Sequence, residues 1–228
     1  EKVIRFPFIL HSSYPHELLH NWWGNSVYID FESGNWCEGI TAFMADHLIK
    51  EQRGEAEEYR RSTLQKNSNL VNAENDFPLN KFISRHDGAS EAIGYGKALM
   101  MWQMLRLKIG DEMFVKGFQL FYEKNKFKKA SFKDIQNAME EVSGIQLEVF
   151  FYQWITRTGA PSLAVKDAKM DMYAGKYRLL ITIEQTQSAE AFDIDVPIHI
   201  ITEKGLEVFN FNMNAKSQEF QISLKGKP

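Results

Sequence analysis

The chain has a single cysteine, Cys37, among its 228 residues. No internal disulfide can form, which excludes a disulfide-stapled secreted scaffold. No run of about 18 apolar residues occurs, so no transmembrane helix is expected. A secretory leader is also missing. The chain opens on Glu1 instead of methionine, so it reads as a piece of a longer protein, and the missing leader decides nothing about compartment. Cytoplasm and bacterial cell envelope both remain compatible with it. There is little excess charge: the formal net charge is -3. A nucleic-acid partner would call for a basic face, and none is expected here. With 44% hydrophobic, 25% charged and 13% aromatic residues, the chain has ample material for a buried core.

The apolar spacing changes its period near Gly159-Ala160-Pro161. Upstream it is helical. Ala98, Leu99, Trp102 and Leu105 lie on one helix face, and Phe114, Phe118 and Phe121 repeat the pattern on the next segment. Gly110-Asp111 marks a break, with Asp111 expected to cap the second helix. Ser131, followed by Asp134, reads as the cap of a further helix that stops before Ser143-Gly144. Another helix is expected over Leu147 to Trp154. The charged stretch Glu55 to Arg61 reads as a solvated helix face, and 66–90 as a long connection near the site.

Downstream of Pro161 the period is two. Phe192, Ile194, Val196, Ile198 and Ile200 alternate with polar neighbours, and Phe209, Phe211 and Met213 alternate with asparagines. Strands are also expected around Tyr177 to Ile183 and Phe220 to Leu224, with turns at Ala174-Gly175 and Glu203-Lys204-Gly205. Pro197 cannot donate a ladder hydrogen bond, which places its strand at an edge or a bulge. The expected class is α+β: a mostly helical lobe over 1–160, followed by a small antiparallel β-sandwich over 161–228.

His16-Glu17-Leu18-Leu19-His20 is an H-E-x-x-H pattern. On a helix, residues four apart share a face, so both imidazoles can reach one ion while Glu17 can act as a base toward a water there. A hydrolytic zinc site commonly takes a third protein ligand. Glu38, within Trp36-Cys37-Glu38-Gly39 at the head of a second helical run, suits that place better than Glu32, which precedes the turn Ser33-Gly34-Asn35. Asp46 and Asp30 are both candidates to orient the imidazoles, and the sequence does not choose between them. Cys37 reads as a buried thiol and not a ligand. Trp22 and Trp23 read as packing residues.

These residues resemble the aminopeptidase N family of gluzincin metallopeptidases, which includes leukotriene hydrolase. His16 to His20 followed by Trp22-Trp23-Gly24-Asn25 is similar to the family's H-E-x-x-H and W-x-G-N. Trp36-Cys37-Glu38-Gly39 stands where the family carries W-L-N-E-G. Seventeen residues separate His20 from Glu38, one fewer than usual, because Cys37 alone replaces two positions. Tyr95-Gly96-Lys97-Ala98 resembles the family's Y-x-K-G, and Phe150 to Trp154 with Gly159-Ala160-Pro161 resembles the F-F-x-Q-W and G-x-P that close its catalytic domain.

The resemblance implies one zinc ion per chain, a peptide substrate removed residue by residue from its N-terminus, and Tyr95 as the group that stabilises the transition state. It also implies a preceding β-rich domain as partner and a G-x-M-E-N loop that grips the free amine; this chain contains no G-x-M-E-N. An endopeptidase-like zinc hydrolase, or an inactive scaffold of the same fold, is the alternative.

Overall fold

The computed structural model describes residues 6–228. It comprises two compact units, one reaching to Thr158 and one running from Gly159 to Pro228.

The first unit is helical. Helix α1 spans Ser13–Leu19. A long helix follows in three pieces: α2 (Cys37–Ala42), a wider π-helical turn over Phe43–His47, and α3 (Leu48–Gln52). Helix α4 (Ala56–Leu70) buries none of its residues, in keeping with its charged sequence. A connection containing the 3-10 turn Leu79–Lys81 leads to a second three-part helix: α5 (Gly88–Glu91), a π-helical turn over Ala92–Lys97, and α6 (Ala98–Ile109). Helices α7 (Asp111–Asn125), α8 (Phe132–Ser143) and α9 (Glu148–Thr156) complete the unit.

Their apolar stripes close on an aromatic core. Trp36 and Phe121 meet edge to face at 5.3 Å, and the Trp102 ring stacks on Phe132 at 6.1 Å. Ala98, Leu99, Trp102 and Leu105 are all buried, as the spacing predicts. Between α1 and α2 the chain adds a two-residue strand, β1 (Tyr28–Ile29), parallel to β2 (Lys129–Ala130).

Local chemistry sets the ends of these elements. Ser131 caps α8 with both halves of a capping box: its hydroxyl accepts from the Asp134 N–H, and the Asp134 carboxylate accepts from the Ser131 N–H at 2.8 Å. Gly144 ends α8 in the left-handed conformation. At the head of α7 the expectation was off by one residue. Gly110 occupies the capping position with φ of 82°, which glycine adopts freely, and Asp111 is the first helical residue. The Asp111 carboxylate accepts instead from Arg106 Nε at 2.8 Å.

The second unit contains five strands. The strands β3 (Leu163–Tyr173), β4 (Lys176–Gln185) and β7 (Ser217–Leu224) form one antiparallel sheet in the order β3-β4-β7. Strands β5 (Ile194–Thr202) and β6 (Gly205–Met213) form an antiparallel pair. Ile194, Val196, Ile198 and Ile200 are buried on one face of β5, and Ile181, Ile183, Phe220 and Ile222 face inward from the other sheet. Phe211 meets Phe220 at 4.8 Å between the two sheets. Buried Gln185 ties them further, donating to the Phe192 carbonyl at 2.7 Å and accepting from its N–H at 2.8 Å. Pro197 lies on β5, whose single ladder partner is β6, so its missing N–H costs no pairing.

Candidate metal centre

Helix α1 carries the first two candidate ligands. Pro15 sits in its opening turn, where the missing N–H has no intrahelical partner to lose. His20 N–H bonds to the His16 carbonyl at 3.3 Å, so the two imidazoles are one turn apart on the same face. The third arrives on α2, whose start is tightly held. Asn35 accepts from the Cys37 N–H at 3.0 Å and donates to the Ile83 carbonyl at 2.9 Å. The fully buried Trp36 donates to the Ala130 carbonyl on β2 at 2.7 Å. Glu38 therefore sits two residues past an anchored tryptophan.

The three side chains converge. Glu38 Oε2 lies 3.4 Å from His16 Nε2 and 3.6 Å from His20 Nε2. One ligand atom from each falls within 4.8 Å of the other two. Behind them, His16 Nδ1 meets the Asp46 carboxylate at 3.0 Å, and His20 Nδ1 meets the Trp23 carbonyl at 3.0 Å. Both acceptors can hold a proton on Nδ1, and Nε2 of each ring is the atom that faces Glu38.

Asp46, and not Asp30, is the carboxylate on His16; Asp30 instead accepts from the Glu32 N–H at 3.3 Å in an exposed 3-10 turn. Eight residues of ideal α-helix would put Asp46 about 80° around the axis from Glu38. The π-helical turn at Phe43–His47 unwinds that angle and brings both carboxylates to the same imidazole. Periodicity alone could not show this, because it assumes a uniform helix.

The carboxylates around the two imidazoles favour positive charge on them. Burial would lower the His16 pKa, but the Asp46 and Glu38 carboxylates outweigh it and push it up to about 9. His20 is pushed up to about 11 by its bonds to Cys37 and Glu38. Burial would raise Glu38, yet His16, His20 and Tyr95 hold it far below the usual carboxylate range. Glu38 and Asp46 thus draw protons onto the imidazoles, protons that a metal ion would displace on binding. Two imidazole nitrogens and one carboxylate oxygen, with an open side toward a cleft, are the donor set of a hydrolytic zinc site.

That cleft has a volume of about 890 Å³ and is lined by His16, Glu17, His20, Glu38 and Tyr95, among others. Tyr95 sits on the second π-helical turn, its ring stacked 6.1 Å from that of His16; burial, with the nearby Glu38 carboxylate, pushes its pKa up. Gly39 lets the two helices approach: a Cβ there would lie 2.3 Å from Ala98 Cβ. Glu17 is exposed to the cleft. Cys37 lies behind His20, its Sγ 2.9 Å from the Trp23 carbonyl and 3.3 Å from His20 Nδ1, away from the converging Nε2 atoms. Trp23 is buried in the aromatic core, whereas Trp22, also expected to pack, is 49% exposed.

Residues 12–154 match the peptidase family M1 domain. The chain belongs to the M1 peptidase family. It is similar to aminopeptidase N of Escherichia coli (strain K12), at 30% identity over 81% of this chain and 22% of that protein. It is also similar to the alanine/arginine aminopeptidase of Saccharomyces cerevisiae, at 26% identity over 91% of this chain and 25% of that one. The crystal structure of Legionella pneumophila aminopeptidase A in complex with aspartic acid shares the fold, with a TM-score of 0.65 and 22% identity over 91% of this chain and 24% of that one. The chain thus spans about a quarter of the length of these M1 relatives.

Proposed function

We propose that this chain carries the metal-holding part of the catalytic centre of a zinc aminopeptidase. The observation that carries the reading is the convergence of His16, His20 and Glu38 with Tyr95 in one cleft. In this reading His16, His20 and Glu38 hold one zinc ion. Zinc supplies Lewis acidity there: it polarises a carbonyl and brings the pKa of water down toward about 7.

The chain's own side chains do the rest. Glu17, open to the cleft, accepts a proton as water attacks the scissile carbonyl and returns it to the leaving amine. The Tyr95 hydroxyl donates to the oxyanion as charge develops on the carbonyl oxygen. Asp46 and the Trp23 carbonyl keep the two imidazoles oriented and in one tautomer. The removal of N-terminal residues rests on the family and on relatives such as the aminopeptidase N of Escherichia coli. In line with the composition shift, 1–160 is the catalytic part and 161–228 a β-sandwich that follows it.

The deciding experiment has two arms. Elemental analysis after exhaustive buffer exchange is expected to give about one zinc per chain, and none in Glu38→Gln. A ratio near zero even after zinc is added back, or a stoichiometric ion other than zinc, overturns the metal assignment. The full polypeptide carrying this sequence is then assayed on peptides with free and acetylated N-termini. Cleavage of the free-amine set alone supports the aminopeptidase; equal cleavage of both sets makes it an endopeptidase.

A further inference from the structure

The wall of the cleft beside Tyr95 holds charges that the proposed chemistry does not use. Lys66 on α4 and Arg85, just before α5, both line the cleft with Glu91 between them. Lys66 Nζ lies 2.5 Å from one oxygen of Glu91, and Arg85 Nη1 lies 3.6 Å from the other. Two cations share one carboxylate, so the cluster carries net positive charge. Arg85 is the underused partner. Among the described residues its guanidinium makes no hydrogen bond, and it lies 5.7 Å above the face of the Tyr95 ring, which a cation finds favourable. Its side chain is 57% exposed. Arg106 shows the contrast: Glu51 and Asp111 occupy its guanidinium with four hydrogen bonds. Arg85 keeps its planar fork of donors, the geometry that grips a carboxylate with two parallel bonds.

We infer that Arg85, supported by Lys66, is a carboxylate-binding subsite of the cleft, so that the preferred substrates are peptides with a carboxylate close to the scissile bond. This rests on the peptidase reading and adds the substrate class to it. The guanidinium sits on the Tyr95 face, and the Tyr95 ring sits on His16, so the subsite is one aromatic layer removed from the candidate metal centre. A peptide advances roughly 3.5 Å per residue, so a carboxylate on the neighbouring residue, or the one beyond it, reaches that layer. Two sources offer the same chemistry: the free C-terminus of a very short peptide, and the side chain of aspartate or glutamate. Glu91 holds the two cations in place and limits their affinity for simple anions. A substrate carboxylate that can take both Arg85 bonds competes successfully for that side chain, because the Glu91 contact engages only one nitrogen at 3.6 Å.

The test uses the full polypeptide and pairs of substrates that differ by one charge. Alanylalanine against its amide reports the C-terminal source. Alanylglutamate amide against alanylglutamine amide reports the side-chain source. The ratio of kcat/KM within each pair is expected to favour the carboxylate by on the order of tenfold to a hundredfold, the scale of a charge-assisted hydrogen-bonded pair. The difference is expected in KM, and it shrinks as salt is raised. Arg85→Gln should collapse the ratio toward one, Arg85→Lys should retain part of it, and Lys66→Gln should reduce it less. The pair that shows the preference names the source.

A ratio near one for both pairs in the unaltered protein overturns the subsite while leaving the peptidase reading intact. So does an Arg85→Gln protein in which both members of a pair slow together, since Arg85 would then only steady the Tyr95 ring. Absence of hydrolysis of any free-amine peptide by the zinc-loaded protein removes the peptidase reading, and the subsite with it.

Discussion

The two imidazoles of the candidate site are held by different acceptors, and the difference has consequences residue by residue. His16 leans on a carboxylate, Asp46, at 3.0 Å, while His20 leans on a neutral carbonyl and a thiol. A carboxylate raises the basicity of its imidazole more than a carbonyl does. Asp46→Asn keeps the shape and removes the charge. It is expected to weaken zinc binding by about tenfold to a hundredfold, read by competition with a chromogenic chelator. An unchanged zinc affinity would remove Asp46 from the site's supporting shell. Tyr95→Phe is a different kind of change. It removes one hydroxyl donor and no ligand atom, so turnover should fall by about a hundredfold or more with zinc content preserved. If zinc is lost as well, the hydroxyl is holding Glu38 in place instead of serving the oxyanion.

Close approach of two helical elements decides where Glu38 and Tyr95 stand. The segment from α2 to α3 crosses the segment from α5 to α6 at Gly39, where no side chain fits against Ala98. Gly39→Ala should destabilise the unit by about 1–3 kcal/mol through overpacking, seen as a lower melting temperature. The double variant with Ala98→Gly restores the space and should recover much of the loss; failure to recover it would mean that the contact is not the cause. Both crossing elements also carry a π-helical turn, one bringing Asp46 to His16 and the other presenting Tyr95. Such turns recur at functional sites because they re-aim side chains that a uniform helix would misplace. Farther away, Ser131→Ala removes half of the capping box on α8 and should cost about 1 kcal/mol without altering the metal site.

Across the whole molecule, ligand binding and pH both act on stability. An ion bound only by the folded chain adds stability in proportion to RT ln(1 + [L]/Kd). Stripping zinc with phenanthroline should therefore lower the melting temperature, zinc should restore it, and Glu38→Gln should show neither response. The pH response has a separate source in His47, which is 1% exposed and whose Nε2 lies 2.8 Å from Arg60 Nη1. Burial, with Arg60 adding to it, pushes its pKa down from 6.5 to about 4. The folded chain refuses a proton that the unfolded chain accepts between those values. Its contribution to stability is thus complete above pH 6.5 and is lost as the pH falls toward 4. His47→Gln keeps an acceptor for Arg60 and should flatten this part of the stability profile in denaturant titrations; an unaltered slope would assign the acid loss elsewhere.

The sequence by itself determined the class of the fold, the family, and the residues to which a metal would be assigned. Two periodicities separate helices from strands because burial on one face demands them. The spacing of His16 and His20 makes sense only on a helix, and the motifs from Trp22 to Trp154 follow in the family's order. Tertiary structure decided what depends on approach between distant segments. It selected Asp46 over Asp30, through a π-helical turn that no periodicity announces. It gave Gly110, and not Asp111, the capping position of α7, because the left-handed backbone there suits glycine. It left Trp22 half exposed beside buried Trp23, since only one of two adjacent tryptophans can face the aromatic core. Lys66 and Arg85 lie nineteen residues apart within 66–90, read as little more than a connection, with Glu91 just beyond it, and their shared charge exists only where α4 and α5 meet at the cleft. Local pattern is written in neighbouring residues, whereas the electrostatics of a cleft is the sum of charges that folding alone brings together.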